Sequence, residues 1–162
     1  MVYWLMNPTP SNNQTTIVVN FPAHPHYDAA KKLIPEFEKE TGIKVEIDTL
    51  QYLRMHDKQV LEMSKSVGDY DLISYVVFWK TEYVSNDFIE PLAPFFEDPT
   101  LADPFYDMPD IIPAYLENIG LVGGEKGYLA GENARLYGIP FGAETSILAY
   151  RKDIFDKHQL TP

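Results

Sequence analysis

The sequence predicts an α/β fold built on a mostly parallel sheet with flanking helices, and three observations carry that prediction. Residues 16–21 (TIVVNF) form a short β-branched apolar run of the kind buried on both faces of a sheet. Ala30, Leu33, Ile34 and Phe37 recur at i, i+3, i+4, i+7, the period of an amphipathic helix. Residues 43–50 (IKVEIDTL) then alternate apolar and polar, as a strand with one solvated face does at a sheet edge. Strand, helix, strand with short connections implies parallel pairing through right-handed crossovers.

The elements follow in order. Residues 1–15 open with MVYWLM, too short and too poor in positive charge for a secretory signal. They continue as polar, turn-forming NPTPSNNQT, so this stretch reads as a flexible leader. The first helix is expected over 28–41, closed by Gly42, with Pro35 forcing a kink or a late start. A second helix follows the edge strand, with Leu53, Val60, Leu61, Ser64 and Val67 on one face. Residues 70–78 (YDLISYVVF) read as a third, buried strand. Residues 81–125 hold ten acidic side chains, no Lys or Arg, and prolines at 91, 94, 99, 104, 109 and 113. Only short helices fit there, over 81–87 and 113–119. Residues 120–131 are a glycine-rich loop, 137–141 and 145–150 two further strands, and 152–158 a helix.

Composition narrows the function. An apolar fraction of 45% with 14% aromatics belongs to a folding chain. A formal charge of −11 opposes sequence-independent nucleic-acid binding, which depends on clustered Lys and Arg. With no cysteine there is neither a disulfide framework nor a thiolate metal site. No Gly-x-Ser-x-Gly elbow, His-Glu-x-x-His, dinucleotide glycine fingerprint or Walker loop occurs, and the loop at 120–131 lacks the Gly-Lys-Ser/Thr of a phosphate cradle.

Ligands of open parallel sheets bind beyond the carboxyl ends of the strands. That rule selects Phe21 to Tyr27 with His24 and His26, then Gln51, Tyr52 and Arg54, then Phe78, Trp79 and Lys80. Each group sets an aromatic ring beside a polar or charged side chain, the make-up of a pocket for a small polar molecule. Trp79, directly after a buried strand, reads equally as a core plug or a ligand-stacking ring. His24, His26 and Asp28 offer imidazole and carboxylate to a metal, so a metal-binding receptor or metal-dependent enzyme is the alternative; loop histidines are more often plain surface groups. Asp98, Asp103, Asp107 and Asp110 do not match the calcium-loop pattern. Glu144, in a loop between strands, suits a hydrogen bond to a ligand hydroxyl or backbone donor, and nothing pairs it with an acid for catalysis. A flavodoxin-like module would start with a similar sheet, but the first loop is neither hydroxyl-rich nor glycine-rich.

Three strings carry a family resemblance: AAKKLIPEFEKETGIKVEI (29–47), DLISYVVFW (71–79) leading into FIEPLAPFF, and LYGIPFGAETSILAYRKDIFDKHQLTP (136–162). Together they resemble the extracellular solute-binding proteins of bacterial ABC importers, of the maltodextrin-type sugar-binding kind. The resemblance implies one lobe of a periplasmic-binding-protein-like (type II) fold, in a protein truncated relative to the family's two lobes, which normally run to more than twice this length. It places a first lobe over 16–136, a hinge crossing over 137–145 and the start of a second lobe over 146–162. It implies a protein without enzymatic activity or cofactor that holds a sugar or polyol by hinge closure. Its ligand-binding set would be Phe21, His24, Tyr52, Trp79, Lys80, Phe141, Glu144 and Thr145. The implied partner is an ABC permease of the inner membrane, the location periplasmic or extracellular, and the full-length state monomeric. The acidic insert over 97–133 matches no common motif of the family.

Overall fold

The computed structural model describes residues 14–123, 131–142 and 148–161. Its centre is a three-stranded parallel sheet in the order β2-β1-β3: β1 is Thr16–Pro22, β2 Lys44–Leu50 and β3 Leu72–Ile73. β1 pairs with β2 along its whole length, from Thr16 opposite Lys44 to Pro22 opposite Leu50, so the alternating strand takes the edge as its pattern predicts. The two described residues of the expected leader are tied to the fold: Thr15 O accepts from Lys44 N at 2.8 Å, and Gln14 donates to Gly42 O at 3.3 Å.

The expected helix over 28–41 is two helices, α1 (Pro25–Lys31) and α2 (Ile34–Thr41). Proline lacks an N–H, and Pro35 sits in the first turn of α2, where none is needed. Gly42, at φ 71°, closes α2 in the left-handed conformation, and its N–H donates to Glu38 O at 2.9 Å. Glu38 fastens α2 to β2, accepting from Val45 N at 2.9 Å and Lys44 Nζ at 3.0 Å. The Val45 donor, then Lys44, hold its carboxyl below the usual range.

Helix α3 (Tyr52–Met63) differs from its expected face. Met55, Gln59 and Glu62 are buried, while Leu53 and Val67 are more than four-fifths exposed and Leu61 is also exposed. The helical period is kept but the buried stripe is rotated, because its polar members find partners inside. Gln59 Nε2 donates to Asn20 Oδ1 at 2.7 Å and to Ser74 O at 2.8 Å, and Gln59 Oε1 accepts from the Tyr83 hydroxyl at 2.8 Å. Asn20 in turn donates to Asp48 O at 3.1 Å. Buried amides and hydroxyls are tolerated when paired in this way. Glu62 is clasped by Lys58 and Lys65, each at 2.5 Å.

The third strand is far shorter than the expected 70–78. Asp71 N and Ser74 N still donate to Val18 O and Asn20 O at 2.9 Å, but beyond Ser74 the chain leaves the sheet. The Ser74 carbonyl is claimed by Gln59 rather than a strand, and Trp79 N turns back onto Val76 O at 3.0 Å to start α4 (Lys80–Ser85). The apolar run was therefore not a strand signal throughout, and Phe78 ends up exposed.

The acidic, proline-rich region forms short pieces as expected: α5 (Ala93–Glu97), a 3₁₀ turn at Met108–Asp110, and α6 (Pro113–Tyr115) continuing into a π turn at Leu116–Gly120. Strand β4 (Leu121–Val122) then pairs antiparallel with β5 (Arg135–Leu136). The strand expected over 137–141 is thus displaced to residues 135–136. Its start instead continues the pairing by a turn, Tyr137 N donating to Gly120 O at 2.9 Å. Most of the glycine loop falls outside the described residues, as do 145–147 of the expected strand over 145–150. Residues 148–150 carry no regular structure, and α7 (Lys152–His158) follows as expected.

Candidate functional site

The carboxyl ends of the three parallel strands bring two aromatic clusters together, and Ser74 is their common node. On one side, the Phe21 ring lies 4.8 Å from Tyr27 and 6.3 Å from Phe141, with Tyr27 and Phe141 4.9 Å apart. The Tyr27 hydroxyl is hydrogen-bonded to Ser74 Oγ. On the other side, Trp79 lies 5.4 Å from Tyr52, 4.9 Å from His56 and 6.3 Å from Tyr83. Tyr83 hangs from Gln59, and Gln59 holds the Ser74 carbonyl. Burial raises the Tyr83 hydroxyl well above its ordinary pKa, so it stays a neutral donor.

Of the eight residues expected to bind ligand, Phe21 and Phe141 fall in the first cluster and Tyr52 and Trp79 in the second. Tyr52 and Phe141 are exposed, and Phe21 and Trp79 half-buried, so ring surface is open to a solute in both clusters. His24 caps α1: its Nδ1 accepts from His26 N at 3.4 Å, and the two imidazoles lie 4.6 Å apart. His26 in turn approaches the chain at Gly142, where an added Cβ would sit 3.4 Å from its Nδ1. Glu144 and Thr145 lie outside the described residues.

Lys80 is placed differently from its expected role. Its side chain is buried, and its ammonium donates to Asn118 O and, at 2.8 Å, to Leu121 O. It straps α4 to β4 instead of pointing to the strand ends; burial lowers its pKa from the ordinary lysine range. A lysine following a strand end reads as a solute contact in sequence, whereas two carbonyls more than thirty residues away claim it here.

The metal alternative gains no geometry. The Asp28 carboxylate pairs with Lys31 at 3.3 Å, and no cluster of three or more His, Asp or Glu side chains that could hold a metal ion occurs among the described residues. No described helix is long and apolar enough to cross a membrane.

His56 and Tyr83 join the candidate site although the sequence reading did not single them out for it, whereas Tyr27 joins it from the strand-end loop that the reading selected. Helical spacing could have found the first two: His56 is four residues after Tyr52 on α3, and Tyr83 four after Trp79 at the head of α4. Tyr75 packs beneath them. Its hydroxyl is buried without a hydrogen-bond partner, its pKa is pushed up to about 12 by burial, and an added Cβ at Gly138 would overlap that oxygen.

The chain is similar to known proteins in sequence and in fold. The chain is 26% identical over 147 residues to an erythritol/L-threitol-binding protein of Mycolicibacterium smegmatis, covering 91% of this chain and 30% of that protein. An ABC transporter solute-binding protein of Agrobacterium vitis S4, solved with bound D-mannitol, superimposes with a TM-score of 0.64 at 25% identity, covering 91% of this chain and 32% of that one. One from Agrobacterium radiobacter K84, in complex with ribitol, gives a TM-score of 0.61 at 24% identity over 91% and 34% of the two chains. The chain thus spans about a third of the length of these relatives. The family model for bacterial extracellular solute-binding proteins matches residues 23–162, and the chain belongs to that family.

Proposed function

We propose that this chain forms one jaw of the substrate-binding component of a bacterial ABC importer, and that the solute is an acyclic polyol or a closely related sugar. The observation that carries the reading is the convergence of the Phe21–Tyr27–Phe141 and Tyr52–His56–Trp79 rings at the carboxyl ends of three parallel strands. Ring faces pack against the C–H groups of a polyol, while Tyr52 and the imidazoles of His24 and His26 can hydrogen-bond its hydroxyls. Of the relatives named above, one binds erythritol or L-threitol and two were solved with D-mannitol and with ribitol, all acyclic polyols, which supports that choice over a ring sugar.

In this reading residues 16–136 belong to the first lobe, 137–145 to the crossing between lobes, and 146–162 to the start of the second. The intact protein is a monomer in the periplasm or at the cell exterior and delivers its solute to the permease unchanged. The solute would favour a closed form of the two lobes by binding it better than the open one. Glu144 and Thr145, in the crossing, would complete the site at its base.

Isothermal calorimetry on the full-length protein with erythritol, L-threitol, ribitol, D-mannitol and a panel of hexoses tests the proposal. Saturable binding of at least one polyol is expected, with a smaller radius of gyration by X-ray scattering at saturation. An absence of heat across the panel would overturn the polyol assignment, and binding without compaction would overturn hinge closure.

A further inference from the structure

We propose that Ser74 is a positioning residue for solute capture: its hydroxyl holds Tyr27, and through Tyr27 the exposed Phe141, in register with the Trp79 side of the site. The proposal rests on the capture reading for its consequence, whereas its geometry stands apart from that reading.

Each of the three polar groups of Ser74 is committed to a different element. Its N–H donates to Asn20 O on β1 at 2.9 Å, its carbonyl accepts from Gln59 Nε2 on α3 at 2.8 Å, and its hydroxyl is hydrogen-bonded to the Tyr27 hydroxyl on α1. Serine hydroxyls in turns commonly bond to nearby backbone. This one reaches a side chain 47 residues away in sequence. The two backbone bonds belong to the buried network in which Gln59 also fixes the Tyr83 hydroxyl, and the Tyr83 ring lies 6.3 Å from Trp79 and 5.9 Å from His56. The hydroxyl is the arm that reaches the other cluster.

Within that cluster Tyr27 is the ring between the other two. It lies 4.8 Å from Phe21 and 4.9 Å from Phe141, whereas Phe21 and Phe141 are 6.3 Å apart. Phe21 is anchored through its backbone, paired into the sheet opposite Thr49. Phe141 follows β5 in a stretch without regular structure and is exposed. A Tyr27 ring released from Ser74 therefore loosens Phe141 first. Ordering a side chain at the moment of binding costs affinity, and a ring already held in place avoids that cost. Removing the hold should weaken polyol binding about two- to tenfold, the cost of immobilising one such side chain.

The deciding experiment is a double-mutant cycle in the full-length protein, with Ser74→Ala and Tyr27→Phe made singly and together. Urea stability is read without solute, and affinity for D-mannitol and ribitol by calorimetry. Either change deletes the same bond and leaves the ring faces in place, so the double variant should be no worse than the weaker single one in both readouts. Ser74→Thr, which retains a hydroxyl, should restore most of the affinity. In a Phe141→Ala background the loss caused by Ser74→Ala or Tyr27→Phe should largely disappear, and the Tyr27 variant keeps the test open if the Ser74 variants do not fold. Additive losses of affinity, a Ser74→Thr variant as weak as Ser74→Ala, or an undiminished loss without Phe141 would overturn the proposal. Unchanged affinity beside a coupled loss of stability would also overturn it, marking a bond that serves folding alone. A wild-type protein that binds neither polyol would instead overturn the capture reading, and the positioning role with it.

Discussion

Gln59 holds Ser74 in place: its Nε2 donates to the Ser74 carbonyl at 2.8 Å, at the point where β3 leaves the sheet and the chain turns toward Trp79. The same amide group serves Asn20 Oδ1 at 2.7 Å and the Tyr83 hydroxyl at 2.8 Å, so one buried side chain fixes β1, the strand-end loop and α4 relative to one another.

Replacing Gln59 with leucine keeps comparable volume but orphans Asn20 Oδ1, the Ser74 carbonyl and the Tyr83 hydroxyl together. Each buried group left unpaired costs about 1–3 kcal/mol. Urea denaturation of Gln59→Leu should therefore show a loss of about 3 kcal/mol or more, well beyond an exposed substitution such as Leu53→Gln on the same helix, which should stay within about 0.5 kcal/mol. A small loss at Gln59 would mean that water replaces its bonds.

That network also explains how much was legible beforehand. β1, β2, the edge position of β2, the break enforced by Pro35, the Gly42 stop and α7 all follow from local pattern, because backbone geometry and apolar period decide them. The buried face of α3 and the short β3 do not, since they depend on side-chain amides finding partners 15 to 39 residues away. Hydrophobic periodicity treats Gln59 and Glu62 as surface residues and Leu53 and Leu61 as core, and the pairing inverts that order. Among the candidate rings, position after strands selected Trp79, Tyr52 and Phe21, and the family resemblance added Phe141, which the structure sets beside Phe21 and Tyr27. Lys80 was misread for the same reason as Gln59: its two acceptor carbonyls are distant in sequence.

Acid should destabilise the fold partly through Glu62. Hydrogen bonds from Lys58 and then Lys65 hold its carboxyl down to about 2, against an ordinary value near 4.5. A depressed native pKa contributes stability above the unfolded value, and that contribution disappears as pH falls from about 4.5 toward 2. The urea midpoint of the wild type should decline across that interval, and Glu62→Gln should flatten the decline while lowering the midpoint at pH 7. An equal decline in both would place the acid sensitivity elsewhere, Glu38 being the next carboxylate to examine.

Gly138 is required by contact, since a Cβ there would overlap the Tyr75 hydroxyl. Gly138→Ala must shift either the Tyr75 ring or the chain that follows β5, and overpacking of this kind costs about 1–3 kcal/mol. Thermal unfolding should register the loss. The double variant Gly138→Ala with Tyr75→Phe should recover part of it, because the offending oxygen is gone along with a buried hydroxyl that has no hydrogen-bond partner. No recovery would show that the alanine strains the backbone rather than the tyrosine.

Trp79 separates a binding role from a packing role. Its ring is half-buried and packed beside His56 and Tyr52, which leaves part of its surface for a solute. If a polyol stacks on that surface, Trp79→Ala removes both the buried area and the ring contact, about 2 kcal/mol or about thirtyfold in affinity. Trp79→Phe, retaining a smaller ring, should lose only part of that. Phe105→Ser, which removes an almost fully exposed ring on the acidic segment away from the strand ends, provides the comparison and should bind as wild type does. The discriminating measurement is calorimetric affinity alongside urea stability for each variant. A ligand-stacking ring loses affinity in steps with ring size while the phenylalanine variant stays nearly as stable as wild type. A core plug does the opposite, losing stability in those steps and leaving affinity untouched, and that outcome would move the solute to the Phe21–Tyr27–Phe141 cluster.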